Sequence, residues 1–325
     1  MTARTRASAA LLGLVALLSA GCASRGPVLD PLVAGRHPSS IELDGTPFFP
    51  QQQYQCGPAA LATVLAASGA AVTPEALVAE VYLPGRRGSL QPELTAAARR
   101  HGRVPYVLPP DEDALVATVA AGLPVLLLQK LGAGPVPGWH YAVLVGYDAP
   151  RDRFVLRSGT ERRKEMSGPQ FLATWDRAGR WALVALPPGV LPPAADFARY
   201  MEAVAGLEAV GRGETAAPAY AAAARRWPAE PLPRLALANL DYARGDLAAA
   251  ERGFHAAAQL DPQDAAARNN RAEVLRQLGC MTAARREIEV ARALAVGGPL
   301  APAVESTARQ IAEQAQGDAV GCPAD

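Results

Sequence analysis

From residue 211 onward the chain repeats itself every 34 residues, and this period limits the possible folds more tightly than anything else in the sequence. Gly211, Gly245 and Gly279 fall in register, as do Ala216, Ala250 and Ala284; Tyr220, Phe254 and Ile288 follow, then Ala223, Ala257 and Ala291. Pro228 and Pro262 close the first two units. The surrounding residues are alanine, arginine and leucine at helical spacing, so each unit is helical. A unit of this size cannot bury its apolar face alone. Successive units must cover one another, which builds an elongated all-α solenoid.

Small, large apolar, small and proline positions at this period resemble tetratricopeptide repeats. The resemblance implies paired helices stacked through small-to-large contacts, in three units over residues 195–298 with a degenerate first unit. A capping helix and tail follow over 299–325, the helix falling between Ala303 and Gln316. A concave surface for a protein partner, or for the remote part of a substrate, is the use it implies; a spacer is the plainer alternative.

Upstream the pattern changes. Pro187-Pro188-Gly189 and Pro192-Pro193 read as a linker and put a domain boundary there. Before it, helices are predicted from Cys56, from Pro74 behind a Thr73 cap, from Pro92 to Arg100, and from an Asp111 cap to Ala121. Strands are predicted over Val125–Gln129, Tyr141–Tyr147, Phe154–Arg157 and Trp181–Leu186, with a short helix Pro169–Arg177 behind a Ser167 cap. Helices first and a sheet afterwards make an α+β domain, residues 41–190. A chain of 325 residues, half of them apolar, supplies cores for both parts.

Charge and motif content exclude several functions. The net charge is +1 and the basic residues are spread along the chain, which gives no footprint for nucleic acid. No Cys-x-x-Cys or His-x-x-x-His cluster occurs, and neither Lys130 nor Lys164 ends a phosphate-binding loop, so no metal or other cofactor is expected.

The first residues carry an address. Arg4 and Arg6 precede an apolar run, Ala9–Leu18, too short to span a bilayer, and Ser19-Ala20-Gly21-Cys22 follows. This resembles a bacterial lipobox, which implies a lipoprotein signal peptide over residues 1–21, lipid on Cys22 and a tether over 22–40. Ala23, in place of an aspartate, implies the outer membrane, facing the periplasm. An ordinary signal peptide is the alternative. Of the remaining cysteines, Cys280 and Cys322 are free to pair in such a compartment, though parity alone supports a bridge.

The chemistry centres on QQQYQCGPAAL, Gln51–Leu61. Gly57 and Pro58 open a helix whose Ala60, Leu61, Val64 and Leu65 recur at helical spacing and which Gly69 closes, so Cys56 sits at a helix mouth. Backbone N–H groups there favour thiolate, and an unusually acidic thiol is the expectation. A cysteine nucleophile usually needs a base, and four histidines are available. His37 lies in the tether, His101 at a helix C-terminus and His255 in a repeat helix. His140, in GWHYAVLVGYD, opens an apolar strand and can face a cleft.

These two motifs, in this order, resemble the papain-like fold of the bacteriocin-processing, double-glycine leader peptidase family over about residues 41 to 190. The chain thus reads as an α+β papain-like cysteine peptidase domain followed by an all-α tetratricopeptide-repeat solenoid. By this resemblance Cys56 attacks, His140 serves as base and then acid, and a glutamine before the cysteine donates to the oxyanion. The family position for that glutamine is Pro50 here; Gln51, one residue on, takes its place. Relatives carry an Asp or Asn to hold the imidazole. Asp148 lies roughly 26 Å along the strand from His140. A hairpin through Asp148–Asp152 would return Ser158 beside His140, making Ser158 the orienter, or else a Cys-His dyad operates.

The expected activity is hydrolysis of a peptide bond in a peptide or protein substrate, with transpeptidation as a variant of the same chemistry. A lipid-anchored scaffold that binds peptides without cutting them is the rival reading.

Overall fold

The structure is a computed structural model that describes residues 27–51, 55–132, 138–314, 319 and 322. Its N-terminal half is built on one antiparallel sheet whose middle strand carries His140. In chain order the elements are α1 (Leu29–Val33), β1 (Ser40–Glu42), α2 (Cys56–Ala67), α3 (Pro74–Val81), α4 (Gln91–Arg100), β2 (Val104–Val107) and α5 (Glu112–Ala120). Then come β3 (Val125–Leu131), β4 (Gly138–Asp148), β5 (Arg153–Ser158), β6 (Glu161–Ser167), α6 (Gly168–Asp176) and β7 (Ala182–Leu186). The strands run β2-β7-β3-β4-β5-β6, and β1 extends the sheet by pairing with the end of β4. Gly146 permits that pairing, because a Cβ there would stand 2.4 Å from the Ile41 carbonyl oxygen.

Period-two alternation sorts the strand residues into two layers. Leu126, Leu128, Val143, Val145, Val155 and Leu183 pack with α2, α3 and α4. Val125, Leu127, Ala142, Leu144, Phe154 and Val184 face the other way, toward α1, α5 and α6. The helix starts follow their caps: Thr73 Oγ1 accepts the Ala76 N–H at 3.4 Å and Asp111 accepts that of Ala114 at 2.8 Å. Ser167 stands at the start of α6 without a side-chain cap bond, contrary to expectation. Three strands escaped the sequence reading. β1 is short, β2 holds a proline, and β6 reads ERRKEMS with no apolar alternation because it is the exposed edge.

The expected tether over 22–40 is corrected for residues 27–40, which belong to the fold. Leu29 and Val33 are buried in the main core, each burial contributing about 1.5–3 kcal/mol. The Asp152 carboxylate accepts the Val28 and Leu29 N–H groups at 2.9 and 3.1 Å. The signal peptide, Cys22 and its expected lipid lie outside the described residues.

After β7 come three helix pairs: α7 (Phe197–Glu208) with α8 (Gly213–Arg226), α9 (Leu232–Ala243) with α10 (Leu247–Leu260), and α11 (Ala265–Gln277) with α12 (Met281–Ala295). A last helix, α13 (Ala301–Glu313), covers the end. Gly211, Gly245 and Gly279 each adopt positive φ at the turn inside a pair, which explains their register. The registered alanines Ala216, Ala250 and Ala284 are fully buried, and Ala223, Ala257 and Ala291 likewise. Tyr220, Phe254 and Ile288 fill the space between helices. Cys280 and Cys322 form a disulfide, Cα–Cα 5.4 Å, that fastens the tail to the third pair.

The proline-rich stretch turns the chain without separating two bodies. Tyr200, Val204 and Leu207 of α7 and Tyr220 of α8 join the same core cluster as β2 and β7. Tyr106 Oη accepts the Asp196 N–H at 2.9 Å, and the Tyr106 and Tyr200 rings lie 6.4 Å apart. A Cβ at Gly206 would stand 2.4 Å from Arg99 Nε, so the Arg99 guanidinium lies close against α7. The solenoid is therefore docked on the back of the sheet.

Candidate functional site

Cys56 is the first residue of α2, a helix buried from Gly57 to Leu65, so the thiol sits where the layer of helices opens beside the sheet. Its helix start has no side-chain cap, which leaves the first N–H groups to the sulfur. The N–H groups of Tyr141, Gly57 and Cys56 itself favour the thiolate, yet burial outweighs them and pushes the thiol pKa up. The expectation of an unusually acidic thiol is thus overturned: desolvation is the larger effect, and Cys56 rests as a thiol.

Gly57 is set by its neighbour. A Cβ there would stand 2.3 Å from Ser89 Oγ and 2.6 Å from Ser89 Cβ, so the loop before α4 lies directly on the start of α2. That loop is closed by Leu83 N–H to the Gly88 carbonyl at 2.8 Å around a short 3-10 turn, Pro84–Arg86. Tyr141 Oη donates to the Ser89 carbonyl at 3.3 Å and ties the loop to β4.

Gln51 bridges β4 and the turn between β5 and β6. Its N–H donates to the Gly159 carbonyl at 3.0 Å, and its side-chain amide donates to the Tyr141 carbonyl at 3.3 Å. An amide carries two N–H bonds, so one remains for a ligand. Gln52 and Gln53 lie outside the described residues.

His140 lies on β4 opposite Gln129 of β3. Its Nε2 is 2.8 Å from Ser158 Oγ, and Ser158 is itself buried at the end of β5. The hairpin through Asp148 and Asp152 produces this meeting. Arg157, one residue earlier, is buried and donates to the Arg162 carbonyl at 2.7 Å, which fixes the strand end that carries Ser158. Burial lowers the His140 pKa, the Lys164 charge lowers it further, and together they bring it to about 4. The imidazole is neutral at neutral pH. With Nε2 on Ser158, Nδ1 is the ring's other nitrogen.

Gln51, Cys56, His140 and Tyr141 line one cleft of about 790 Å³, joined by Ser89 and Leu90. Ser158 stands behind His140 rather than in the lining. The other histidines are elsewhere: His101 pairs with Glu80 at 2.9 Å and His255 with Gln259 at 2.8 Å. Cys56 is the free cysteine among the described residues, and no cluster of metal-ligating side chains occurs among them. Three participants went unseen in the sequence. Tyr141 acts through its backbone, Ser89 through the shape of its loop, and Lys164 through a charge on an edge strand; of these only the His-Tyr neighbourhood left a trace in a motif.

An antiparallel sheet flanked by helices brings a cysteine at a helix start and a histidine on a strand into one cleft. Residues 43–183 match the model of the Peptidase_C39 like family. Among solved structures, the chain is similar to a C39-like peptidase from Bacillus anthracis, at 18% identity and TM-score 0.38, over 44% of this chain and 96% of that one. The helical half is similar to the type III secretion translocator chaperone SycD of Yersinia enterocolitica, at 20% identity and TM-score 0.34, over 36% of this chain and 83% of that one. It is also similar to the TPR2B domain of yeast Sti1 in complex with pHsp70, at 15% identity and TM-score 0.35, covering 37% and 98%. Among curated proteins nothing matches the chain. The tetratricopeptide character of this half rests on its 34-residue period and its helix pairs.

Proposed function

We propose that the protein is a lipid-anchored cysteine peptidase of the bacterial envelope, with Cys56 as nucleophile, His140 as base and then acid, Gln51 as oxyanion donor and Ser158 as the residue that orients the imidazole. The observation that carries this reading is the single cleft shared by Cys56, His140 and Gln51, with His140 Nε2 held on Ser158.

In this scheme Nε2–H donates to Ser158 Oγ, so Nδ1 is unprotonated and takes the thiol proton as sulfur attacks the scissile carbonyl carbon. The oxyanion forms beside the Cys56 N–H and the second N–H of Gln51. Nδ1–H then protonates the departing amine, leaving a thioester on Cys56. His140 deprotonates a water that attacks the thioester, and the acid product leaves with the thiol restored.

A neutral thiol facing a neutral imidazole suits this general-base route, in which the proton moves during attack. It also favours the rival, a scaffold that binds peptides in the cleft without cutting them. Incubation of a defined peptide library with the full chain separates the two. New termini formed by the wild type and absent with Cys56→Ala support hydrolysis, whereas retention of uncut peptide by both supports binding alone.

The membrane address is supported by the run from Arg4 to Cys22, with cleavage after residue 21 and lipid on Cys22 placing the chain on the outer membrane facing the periplasm. Metabolic labelling with palmitate, lost in Cys22→Ala, is the expected result. The repeats then hold a protein partner or the remote part of the substrate.

A further inference from the structure

A lipid on Cys22 constrains how the domain can stand, because the fold begins almost at once after that residue. Val28 is the sixth residue beyond Cys22, and it already packs against the main core. Its N–H and that of Leu29 donate to the Asp152 carboxylate at 2.9 and 3.1 Å, and Leu29 and Val33 behind it are buried. Six residues span at most about 22 Å even when fully extended. The lipid therefore keeps the Val28 end of the domain within that distance of the headgroups.

Asp152, which takes hold of the chain there, is itself firmly placed. It closes the β4–β5 hairpin with φ +50°, its N–H donates to the Ala149 carbonyl at 2.9 Å, and its carbonyl accepts the Gly168 N–H at 2.9 Å. Gly168 lets the carboxylate lie close, since a Cβ there would stand 2.6 Å from both of its oxygens. The same end of the sheet gathers the chain that follows α1: the Ser39 carbonyl accepts the Ala149 N–H at 2.9 Å, and the Pro38 carbonyl accepts the Tyr147 hydroxyl at 3.0 Å. Pro38, Ser39, Pro150 and Arg151 are exposed at this end.

The cleft stands at the other end of β4. Gly138, Trp139 and His140 open that strand and line the cleft, whereas Asp148 ends it and enters the hairpin. Eight residues of extended strand put His140 about 26 Å from Asp148. The anchor obliges one end of the strand to stay near the headgroups and leaves the other end free.

Resting on the lipid-anchor reading above, we propose that the β4–β5 hairpin end, with Pro38 and Ser39 beside it, lies against the bilayer surface, and that the cleft opens away from the lipid into the aqueous space. Such a cleft receives peptide segments displayed in water, and segments buried in the same bilayer stay out of its reach.

Fluorescence quenching on vesicles tests this. Full-length lipidated protein carries one bimane on a single free thiol, either Arg151→Cys at the hairpin or Leu90→Cys at the cleft, each with Cys56→Ser. It is reconstituted into phosphatidylethanolamine–phosphatidylglycerol vesicles whose headgroups bear a nitroxide quencher. The hairpin probe should lose most of its emission, and the cleft probe should keep nearly all of it. A Gly-Ser spacer of about twenty residues inserted after Ser24, with a root-mean-square span of about 25 Å, should restore emission at the hairpin several-fold. Asp152→Ala, which releases α1 from the hairpin, should act in the same direction; the spacer alters no described residue and so tests the anchor length without touching the fold. Equal quenching at the two positions, stronger quenching at the cleft, no quenching at either in protein that floats with the vesicles, or a hairpin signal unchanged by the spacer overturns the proposal. A chain that bears no lipid on Cys22 and stays off the vesicles removes the anchor reading as well, whereas a lipidated chain that fails the quenching comparison removes the orientation alone.

Discussion

At Cys56 two effects compete, and the larger is burial. Three backbone N–H groups draw the thiol toward ionisation, but loss of solvent keeps it protonated. His140 is treated the same way and ends near pKa 4. Its unfolded value is about 6.5, so as pH falls from neutral the unfolded chain takes up the proton first. Stability therefore declines between about pH 6.5 and 4, by at most about 3 kcal/mol, and His140→Gln should flatten that stretch of the melting-temperature profile. For activity, kcat/KM should hold down to about pH 4. Lys164→Gln should move the acid limb upward, because one of the two forces depressing the imidazole is gone; an unmoved limb would show that the lysine does not reach His140. Ser158→Ala should fold normally and lower kcat by roughly tenfold with little change in KM, as a single orienting hydrogen bond of about 1 kcal/mol is removed from a ring that must keep its tautomer.

Among elements, α2 and the loop before α4 form the tightest fit. Gly57→Ala should gain up to about 1 kcal/mol of helix propensity but cost about 1–3 kcal/mol through collision with Ser89. The net is a destabilised protein with a displaced Arg86–Arg87 loop, and adding Ser89→Gly should restore the melting temperature. Legibility follows the same physics. The apolar strands β3, β4, β5 and β7 and the capped helices were readable because burial imposes a period and caps impose residue types. The exposed edge strand β6 has no such demand on its sequence, and α1 hides in a segment whose only apolar anchors are a few residues such as Leu29 and Val33. Cys56, His140, Gln51 and Ser158 could be named from two motifs and one hairpin. Their protonation could not, because it depends on how much solvent the packed neighbours remove.

For the whole molecule, the docked solenoid alters what a truncation should do. A linker hinge would let residues up to 193 behave as an independent domain. The shared core instead puts Tyr106 and Val104 against Tyr200, Val204 and Tyr220, so a chain ending after Pro193 exposes that face. It should melt well below the full chain or aggregate, as read by calorimetry and light scattering; an unchanged transition would argue for a hinge. With α7 and α8 packed into the core of β2 and β7, the first helix pair keeps a constant position relative to the cleft. The claim on which all of this depends is that Cys56 forms an acyl bond. Full-length protein mixed rapidly with an activated peptide ester should release a burst of one equivalent of alcohol and carry a hydroxylamine-labile adduct mass on the peptide containing Cys56. Absence of a burst in the wild type, or an undiminished burst in Cys56→Ala, would contradict it.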